Sequence, residues 1–239
     1  MNGAIERLLS VLFCKRCAIC GRIIGQEEEI CSLCRADLPT IGSNICPFCG
    51  RDRANCVCEG DEFAFDGAAA PFYYGGRARH LIHQLKFYGQ RELTPLLAVF
   101  METRVKEAFP SEQFDLIVPV PMHRSERRER EYNHSALLGK ELSRRLGIPL
   151  REKAITKVRE TKRQRGLPAG ERRTNLSGAF SACLPDWAKT ILLVDDVLTT
   201  GSTAGECAKA LKKAGAQQVY CITCAATVLE HGNGTKENL

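Results

Sequence analysis

The sequence predicts an α/β fold, with a mostly parallel sheet flanked by helices, preceded by a small cysteine-rich N-terminal domain. Two observations predict it. Short apolar runs alternate with helical patterns after residue 62, and nine of the thirteen cysteines lie between Cys14 and Cys58. Strands separated by helices favour a parallel sheet covered on both faces. We therefore expect a cysteine-rich domain at 1–62, an α/β domain at 63–228 and a flexible tail at 229–239.

The composition excludes several classes of protein. Hydrophobic residues make up 44% of the 239 residues and charged residues 26%, which argues against disorder throughout the chain. No apolar run approaches the roughly 18 to 20 residues that cross a bilayer, and residues 1–13 lack the long apolar core of a secretion signal. We expect a cytoplasmic protein with a short amphipathic leader and no transmembrane segment.

The cysteine spacing in the head is typical of zinc ribbons. Three C-x2-C pairs and a final C-x-C pair follow one another. An odd number of cysteines without a secretion signal argues against disulfides, and a C-x2-C turn presents two thiolates to one tetrahedral ion. We predict two structural zinc sites, the first from Cys17, Cys20, Cys31 and Cys34 and the second from Cys46, Cys49, Cys56 and Cys58.

Two alternatives to this assignment stay open at the level of the sequence. Cys14-x2-Cys17 offers a competing start for the first site, and the C-x-C pair of the second site is one residue shorter than a usual knuckle. Thiolate ligands also suit an iron–sulfur cluster, which would make the chain a redox accessory protein. A head of this size has too few aliphatic side chains to fold by burial alone, so we expect the metal to supply folding energy.

The elements of the α/β domain follow from the period of the apolar residues. Apolar runs of strand length predict strands at 64–74, 114–120, 191–195 and 218–226. Apolar residues at helical spacing predict helices at 77–87, 93–108, 134–146 and 203–214. Gly67 is expected to interrupt the first strand, and Asn133 and Gly147 are expected to cap and end the third helix.

One segment indicates a binding site for a ribose phosphate. An apolar strand at 191–194 leads into Asp195 and Asp196, and a loop that opens a helix follows, formed by Thr199, Thr200, Gly201, Ser202 and Thr203. Successive backbone N–H groups and hydroxyls at a helix N-terminus form a nest for one phosphate. Carboxylates beside the nest would repel a polyphosphate but accept hydrogen bonds from ribose hydroxyls. The C-terminal edge of a parallel sheet is where such folds bind ligands.

This segment resembles the phosphoribosyl-pyrophosphate binding motif of the type I phosphoribosyltransferases. With the cysteine-rich head in front, nearly the whole chain is similar to the ComF/GntX family of competence-associated proteins. The other matching segments are 81–87 (LIHQLKF), 117–121 (IVPVP), 127–134 (RREREYNH) and 161–167 (TKRQRGL), with Arg173, Asn175, Ala179 and Phe180. The chain departs from the family pattern at Glu131 and His134, where Gly and Gln are usual. The resemblance implies a type I phosphoribosyltransferase fold behind a zinc-ribbon head.

The resemblance also implies a function, the binding of phosphoribosyl pyrophosphate with Mg²⁺ in a protein linked to DNA uptake and natural transformation. It places the pyrophosphate contact at 118–121, which includes Val118 and Pro119. Positive charge is needed where pyrophosphate leaves. The candidate catalytic residues are Asp195, Asp196, Lys86 and Arg128. Two function classes stay open, transfer of phosphoribosyl to a nitrogenous acceptor, and non-catalytic sensing of this ligand by a protein that binds single-stranded DNA.

A basic stretch at 122–175 is the candidate surface for single-stranded DNA and for competence or DNA-translocation proteins. It holds sixteen Lys or Arg against seven Glu, whereas the whole chain has a net charge of +6. Its polar, aperiodic part at 157–173 is typical of a mobile lid. The candidate DNA or lid residues are Lys162, Arg163, Arg165 and Tyr132. Because Tyr132 is the only aromatic residue of the stretch, we expect weak binding through phosphate contacts.

Overall fold

The helices and strands alternate along the body of the chain. The computed structural model describes residues 14–56, 58, 63–122, 132–159 and 178–228. In chain order the elements are α1 (Ser32–Ala36), β1 (Gly67–Ala69), β2 (Phe72–Tyr73), α2 (Gly76–Phe87), α3 (Thr94–Ala108), β3 (Leu116–Pro119), α4 (His134–Leu146), β4 (Ile155–Lys157), β5 (Phe180–Ala182), β6 (Thr190–Leu198), α5 (Ser202–Lys213) and β7 (Gln218–Ala226). The leader at 1–13 and the tail at 229–239 lie outside these ranges, and the division at 62 and 228 stays a prediction.

The main sheet is parallel throughout its described strands. Its order is β1–β7–β6–β3, and β2 also pairs with β7. The two central strands, β6 and β7, have nine residues each and place the site described below at their C-terminal ends. The predicted parallel sheet is confirmed.

Helices cover both faces of this sheet, as the sequence predicts. Alternate residues of β6 point to opposite sides, so Leu192 and Val194 pack with α2, α3 and α4. Ile191 and Leu193 instead pack with the buried side chains of α5. Strands buried on both faces require the nearly continuous apolar run that begins at Ile191.

The bounds of the first predicted strand and of β6 differ from those that the sequence predicts. Gly67 is the first residue of β1 and does not interrupt it. Glycine is needed there because a Cβ would lie 2.9 Å from the Pro47 carbonyl oxygen and 3.1 Å from the Tyr220 ring. The interruption falls before Phe72, at Pro71, which has no N–H to donate to a ladder. Strand β6 continues to Leu198 because its last residues stay paired with β7, so both aspartates lie inside the strand.

Helix α4 has the predicted bounds and the predicted caps. The Asn133 side chain accepts a hydrogen bond from the Ser135 amide at 3.0 Å, and Gly147 ends the helix with φ of 70°. The antiparallel pair β4–β5 is not predicted by the sequence, because each strand has only three residues. Lys157 therefore belongs to β4, and residues 160–173 of the expected lid lie outside the described ranges.

The head contains two knuckles with the same backbone hydrogen bonds. In both, the amide of the first cysteine, Cys17 or Cys46, donates to the carbonyl five residues later at 2.8 Å. The amide of the following glycine donates back to that cysteine at 2.9 Å. Gly21 and Gly50 have φ of 70° and 68°, so both take the left-handed conformation that the knuckle requires.

The head is joined to the sheet and to α3 by hydrogen bonds. The Tyr73 amide donates to the Pro39 carbonyl at 2.7 Å, and the Ile41 amide donates to the Pro71 carbonyl at 2.9 Å. Arg104 of α3 donates to the carbonyls of Gly42 and Ile41. The cysteine-rich domain and the α/β domain are therefore joined by an interface and not only by the linker between them.

The glycine of the second knuckle lies against this interface, and we expect Gly50→Ala to destabilise the fold by about 3 kcal/mol. A Cβ at this position would overlap with the Ala68 carbonyl of β1. Overpacking of this kind costs roughly 1 to 3 kcal/mol, and a left-handed alanine costs about 1 kcal/mol more. Urea denaturation measures the change.

The first knuckle supplies the matched control for this substitution. Gly21 has nearly the same φ, but a Cβ there meets nothing within 4 Å. Gly21→Ala should therefore lose only the conformational part, about 1 kcal/mol. Equal losses in the two variants would contradict the close packing of the second knuckle on β1.

Among the described helices, the longest is α3 with fifteen residues, and none combines the length and apolar character that a membrane span needs.

Candidate functional site

Eight cysteines of the head form two tetracysteine clusters. The clusters are the predicted ones, Cys17, Cys20, Cys31 and Cys34 in the first and Cys46, Cys49, Cys56 and Cys58 in the second, with the sulfurs of each within 4.8 Å of one another. Four sulfurs about 2.3 Å from a tetrahedral zinc ion lie about 3.8 Å apart. The Cys20–Cys31 sulfurs are 3.8 Å apart, and the Cys46–Cys58 and Cys49–Cys56 sulfurs are 3.6 Å apart. The donor set and spacing fit zinc.

Backbone N–H groups favour the thiolate form at the first cysteine of each cluster. Burial disfavours the charge at Cys17, but amide hydrogen bonds from Cys20, Cys31 and Ile19 outweigh it and lower the pKa of Cys17 to about 6. Burial is outweighed in the same way at Cys46, whose pKa falls to about 7. Thiolates are the form that binds metal. Cys14 lies outside both clusters, so the competing start of the first site is not adopted.

A second group of candidate site residues lies at the C-terminal part of β6. The Lys86 ammonium, near the end of α2, contacts an Asp196 carboxylate oxygen at 2.7 Å. Burial disfavours the charge on Lys86, but Asp196 and Asp195 outweigh it and raise the pKa of Lys86. The structure thus brings three of the four candidate catalytic residues together.

Asp195 lies deeper in this group and is held by two donors. Its Oδ1 accepts from the Ser135 hydroxyl at 2.9 Å and from the Asp196 amide at 2.9 Å. Burial and the neighbouring Asp196 carboxylate raise the pKa of Asp195 to about 7, although these two donors and Lys86 act in the opposite direction. A carboxyl group that titrates near neutral pH beside a lysine is typical of a functional site.

The predicted phosphate loop connects β6 to α5. Gly201 is the residue before the helix, with φ of 76°, and helix α5 begins at Ser202. The Thr200 and Ser202 hydroxyls are 2.8 Å apart, and the Ser202 amide donates to the Thr200 hydroxyl at 3.4 Å. Thr199 begins the loop, and Thr203 lies in the first turn of α5. The loop is thus a helix N-terminus with hydroxyls on its rim, which is the arrangement a phosphate requires.

The end of β3, next to β6, holds the residues expected to face pyrophosphate. Val118 pairs with Leu193 and is fully buried, so its side chain belongs to the core. Pro119 is the last residue of β3. The Asn133 side-chain amide donates to the Val120 carbonyl at 3.0 Å and so ties the start of α4 to this strand end. A contact of 118–121 with pyrophosphate stays a prediction.

The candidate DNA or lid residues are only partly within the described chain. Tyr132 lies beside the site, where its hydroxyl donates to the Leu85 carbonyl at 2.8 Å and the Arg91 guanidinium lies 4.1 Å from its ring centre. The remaining basic candidates, Arg128, Lys162, Arg163 and Arg165, lie outside the described residues.

Three residues of the site are missed by reasoning from the sequence. Ser135 donates to Asp195, and Asn133, which the sequence predicts only as a helix cap, also donates to the Val120 carbonyl after β3. Arg51, from the second knuckle, is buried and donates to the Thr199 carbonyl of the phosphate loop at 2.6 Å. The N-cap position of Asn133 indicates a site role for Ser135 and Asn133, because it places the start of α4 near a sheet edge. Nothing in the sequence indicates the contact of Arg51.

Comparison with known proteins agrees with both parts of this description. The model of the double zinc ribbon domain matches residues 8–66, and that of the phosphoribosyl transferase domain matches residues 133–238. The tetracysteine clusters are therefore structural zinc sites, and the iron–sulfur alternative is not favoured. The α/β body is a phosphoribosyltransferase-type fold.

Several curated proteins are similar to this chain over most of its length. Competence protein F of Haemophilus influenzae is 32% identical over 218 residues, which cover 85% of this chain and 93% of that protein. DNA utilization protein YhgH of Escherichia coli (strain K12) is 33% identical, covering 86% and 88%. Competence protein ComFC of Bacillus subtilis (strain 168) is 24% identical, covering 81% and 82%. By this identity over nearly the full length of both chains, the chain belongs to the ComF family, in which a double zinc ribbon precedes a phosphoribosyltransferase domain.

Proposed function

We propose that this chain binds phosphoribosyl pyrophosphate as its Mg²⁺ complex and transfers phosphoribosyl to a nitrogenous acceptor. One observation carries the proposal, the cluster of Lys86, Asp196, Asp195 and Ser135 directly before the phosphate loop. A ribose phosphate needs carboxylate acceptors on one side and a phosphate nest on the other, and this strand end supplies both.

In this proposal each described residue has a separate task. The amides and hydroxyls at 199–203 hold the 5-phosphate, and Asp195 and Asp196 accept hydrogen bonds from the ribose hydroxyls. In the ligand-free protein the Lys86 ammonium neutralises Asp196. When a ribose hydroxyl donates to Asp196 instead, the ammonium is released to donate to the leaving pyrophosphate. Mg²⁺ would be held through the substrate phosphates and would supply positive charge to the pyrophosphate. No metal site in the body is needed beforehand.

We expect Mg²⁺ with phosphoribosyl pyrophosphate to raise the melting temperature, and Asp196→Asn and Thr203→Val to weaken that shift. A ligand at 100 times its Kd stabilises the fold by about 2.7 kcal/mol. Loss of a hydrogen bond to a charged acceptor removes roughly 1.5 to 3 kcal/mol of binding, enough to abolish most of the shift. A thermal scan with and without ligand measures it.

Asp115, directly before β3 and beside the start of β6, is the matched control. Asp115 accepts from the Lys189 and Thr190 amides at 2.8 Å, far from the loop. Asp115→Asn should therefore keep the full ligand shift. If Asp196→Asn keeps it as well, the ligand does not bind at this strand end. Release of pyrophosphate in a screen of labelled ligand with nitrogenous acceptors separates transfer from binding without turnover.

The relatives named for competence and for DNA utilization support a second part of the proposal, a role in DNA uptake in the cytoplasm. Single-stranded DNA and competence or DNA-translocation proteins would be its partners there. The sequence supports a DNA surface by the excess of basic residues at 122–175. A basic excess of this kind binds phosphates without reading bases.

We expect weak binding of single-stranded DNA whose affinity falls steeply with salt. Neutralisation of about four phosphates gives a slope near −3 for log affinity against log salt. Replacing Lys162, Arg163 and Arg165 together by Gln should flatten that slope, whereas the same change at Lys209, Lys212 and Lys213 on α5 should not. If saturating phosphoribosyl pyrophosphate displaces all the DNA, the basic residues serve the ligand site alone.

A further inference from the structure

The second zinc ribbon contacts the phosphate loop through Arg51. We propose that this ribbon positions the loop through Arg51, so that metal binding in the head and phosphate binding in the body are coupled. Arg51 follows the knuckle glycine and is 1% exposed. It is a positioning residue, since it reaches the loop backbone and not the ligand. The proposal rests on the proposed function insofar as the loop binds phosphate.

The guanidinium of Arg51 joins the ends of two neighbouring strands. It donates to the Thr199 carbonyl at 2.6 Å, to the Leu198 carbonyl at 3.4 Å and to the Thr227 carbonyl at 2.6 Å. The first two carbonyls end β6 and begin the loop, and Thr227 follows β7. The Leu198 carbonyl also accepts from the Thr227 amide at 2.9 Å, so the guanidinium binds the two chains where their backbone pairing ends.

A fourth contact ties the same guanidinium to the metal cluster. Arg51 also donates to the carbonyl of Cys49, whose sulfur belongs to the second cluster, at 3.5 Å. In the described part of the chain, all four acceptors of Arg51 are uncharged carbonyls. Four thiolates around one divalent zinc ion carry a formal charge of roughly −2. The loaded cluster therefore supplies the negative charge that a buried arginine requires.

A second contact with the loop comes from the segment that follows the head. Gly201 has φ of 76°, and a Cβ there would lie 2.8 Å from the Phe63 ring. Phe63 stacks on Phe65 with the ring centres 4.7 Å apart. The loop backbone thus contacts Arg51 at Thr199 and this aromatic pair at Gly201. Its shape depends on residues that are placed by the second ribbon and by the chain that leaves it.

The coupling has two measurable consequences. Loading of the second cluster should raise the affinity of the loop for a phosphate, because the loop amides no longer need to be ordered by the ligand. By linkage, a bound phosphate must raise the affinity of that cluster for zinc by the same factor. The first cluster has no such contact with the loop among the described residues and should show neither effect.

Arg51→Met in the full-length, zinc-loaded protein tests the contact directly. We expect amide hydrogen exchange at 199–203 to accelerate and the Kd for ribose 5-phosphate to rise about tenfold, within the roughly 5- to 150-fold range of such couplings. Arg104→Met is the matched control, because Arg104 is also a buried arginine that joins body and head, through the Gly42 and Ile41 carbonyls. It should leave exchange at 199–203 and the Kd unchanged. Arg51→Lys, which keeps the charge, should recover part of the affinity.

The metal side is tested with zinc-binding variants. Cys56→Ser, in the second cluster, should increase exchange at 199–203, whereas Cys20→Ser, in the first cluster, should not. In wild-type protein, saturating ribose 5-phosphate should slow the release of one zinc ion to a chelator and leave the other unchanged. This measurement needs no substitution and remains available if Arg51→Met does not fold.

The outcomes separate this proposal from the one it rests on. If wild-type protein binds ribose 5-phosphate and both arginine variants bind it equally well, with equal exchange at 199–203, Arg51 does not position the loop. If wild-type protein binds no ribose 5-phosphate but exchange at 199–203 still rises in Arg51→Met alone, the positioning holds and the ligand assignment is wrong. Equal release of both zinc ions with and without ligand overturns the coupling.

Discussion

Purified protein is expected to contain two zinc ions per chain, and Cys34→Ser is expected to contain one. Cys34 is 1% exposed and completes the first cluster, and three thiolates hold a structural zinc far less firmly than four. Zinc supplies roughly 10 to 16 kcal/mol of folding free energy in finger peptides. Losing one ion should therefore remove most of the stability of the ribbon. Elemental analysis and thermal unfolding measure the two effects.

Cysteines outside the clusters give the control for this prediction. Cys183 is exposed and lies in neither cluster, so Cys183→Ser should keep both ions and the melting temperature. A zinc content of one ion per chain in wild-type protein would contradict the second site, and a zinc content of zero would contradict both sites. Iron in place of zinc, with a coloured protein, would restore the iron–sulfur alternative.

The first ribbon packs against α2 and α3 of the body. Cys17, Ile30 and Cys34 belong to the same buried cluster as the apolar side chains of α2 and α3. Asp37, after α1, also forms an ion pair with Arg77 of α2 at 2.6 Å. The head and this helical face share one core, so we expect a single cooperative transition in wild-type protein rather than two.

Sequence patterns predict the fold well where the local signal is strong. The cysteine spacing predicts both clusters, and the period of the apolar residues predicts every long helix and both central strands. The pattern fails at short elements whose form is decided by distant contacts. Gly67 is required because Pro47 and Tyr220 approach it, and β4 and β5 exist only because they pair with each other. Single-sequence periodicity contains no information about such neighbours.

The same distinction applies to the site. Asp195, Asp196 and the loop are contiguous in the sequence, so one motif predicts them together. Lys86 was predicted from the resemblance, and the structure brings it within 2.7 Å of Asp196. Ser135 and Arg51 come from elements 60 and 148 residues away from the groups they contact. Their roles depend on how α4 and the second knuckle pack, which the sequence does not encode locally.

Asp195→Asn should make the ligand-free protein more stable at neutral and alkaline pH while weakening the binding of phosphoribosyl pyrophosphate. Burial and the adjacent Asp196 carboxylate raise the pKa of Asp195 to about 7 in the folded protein, against about 3.9 in an unfolded chain. Between these values the unfolded chain releases a proton that the folded protein keeps. Stability therefore falls as the pH rises from about 4 to about 7 and is level above that.

The asparagine variant lacks this loss, so its advantage should be close to zero at pH 4 and should grow to at most about 4 kcal/mol above pH 7, at about 1.4 kcal/mol for each pH unit. Its amide oxygen still accepts from the Ser135 hydroxyl and the Asp196 amide, so the packing is kept. Urea denaturation of wild-type protein and Asp195→Asn at several pH values measures the difference. Parallel pH profiles for Asp195→Asn and wild type would show that the pKa of Asp195 is the same in the folded protein and in the unfolded chain. A variant that is more stable but no longer binds the ligand would mean that the Asp195 carboxylate destabilises the fold and is kept because it accepts hydrogen bonds from the ribose.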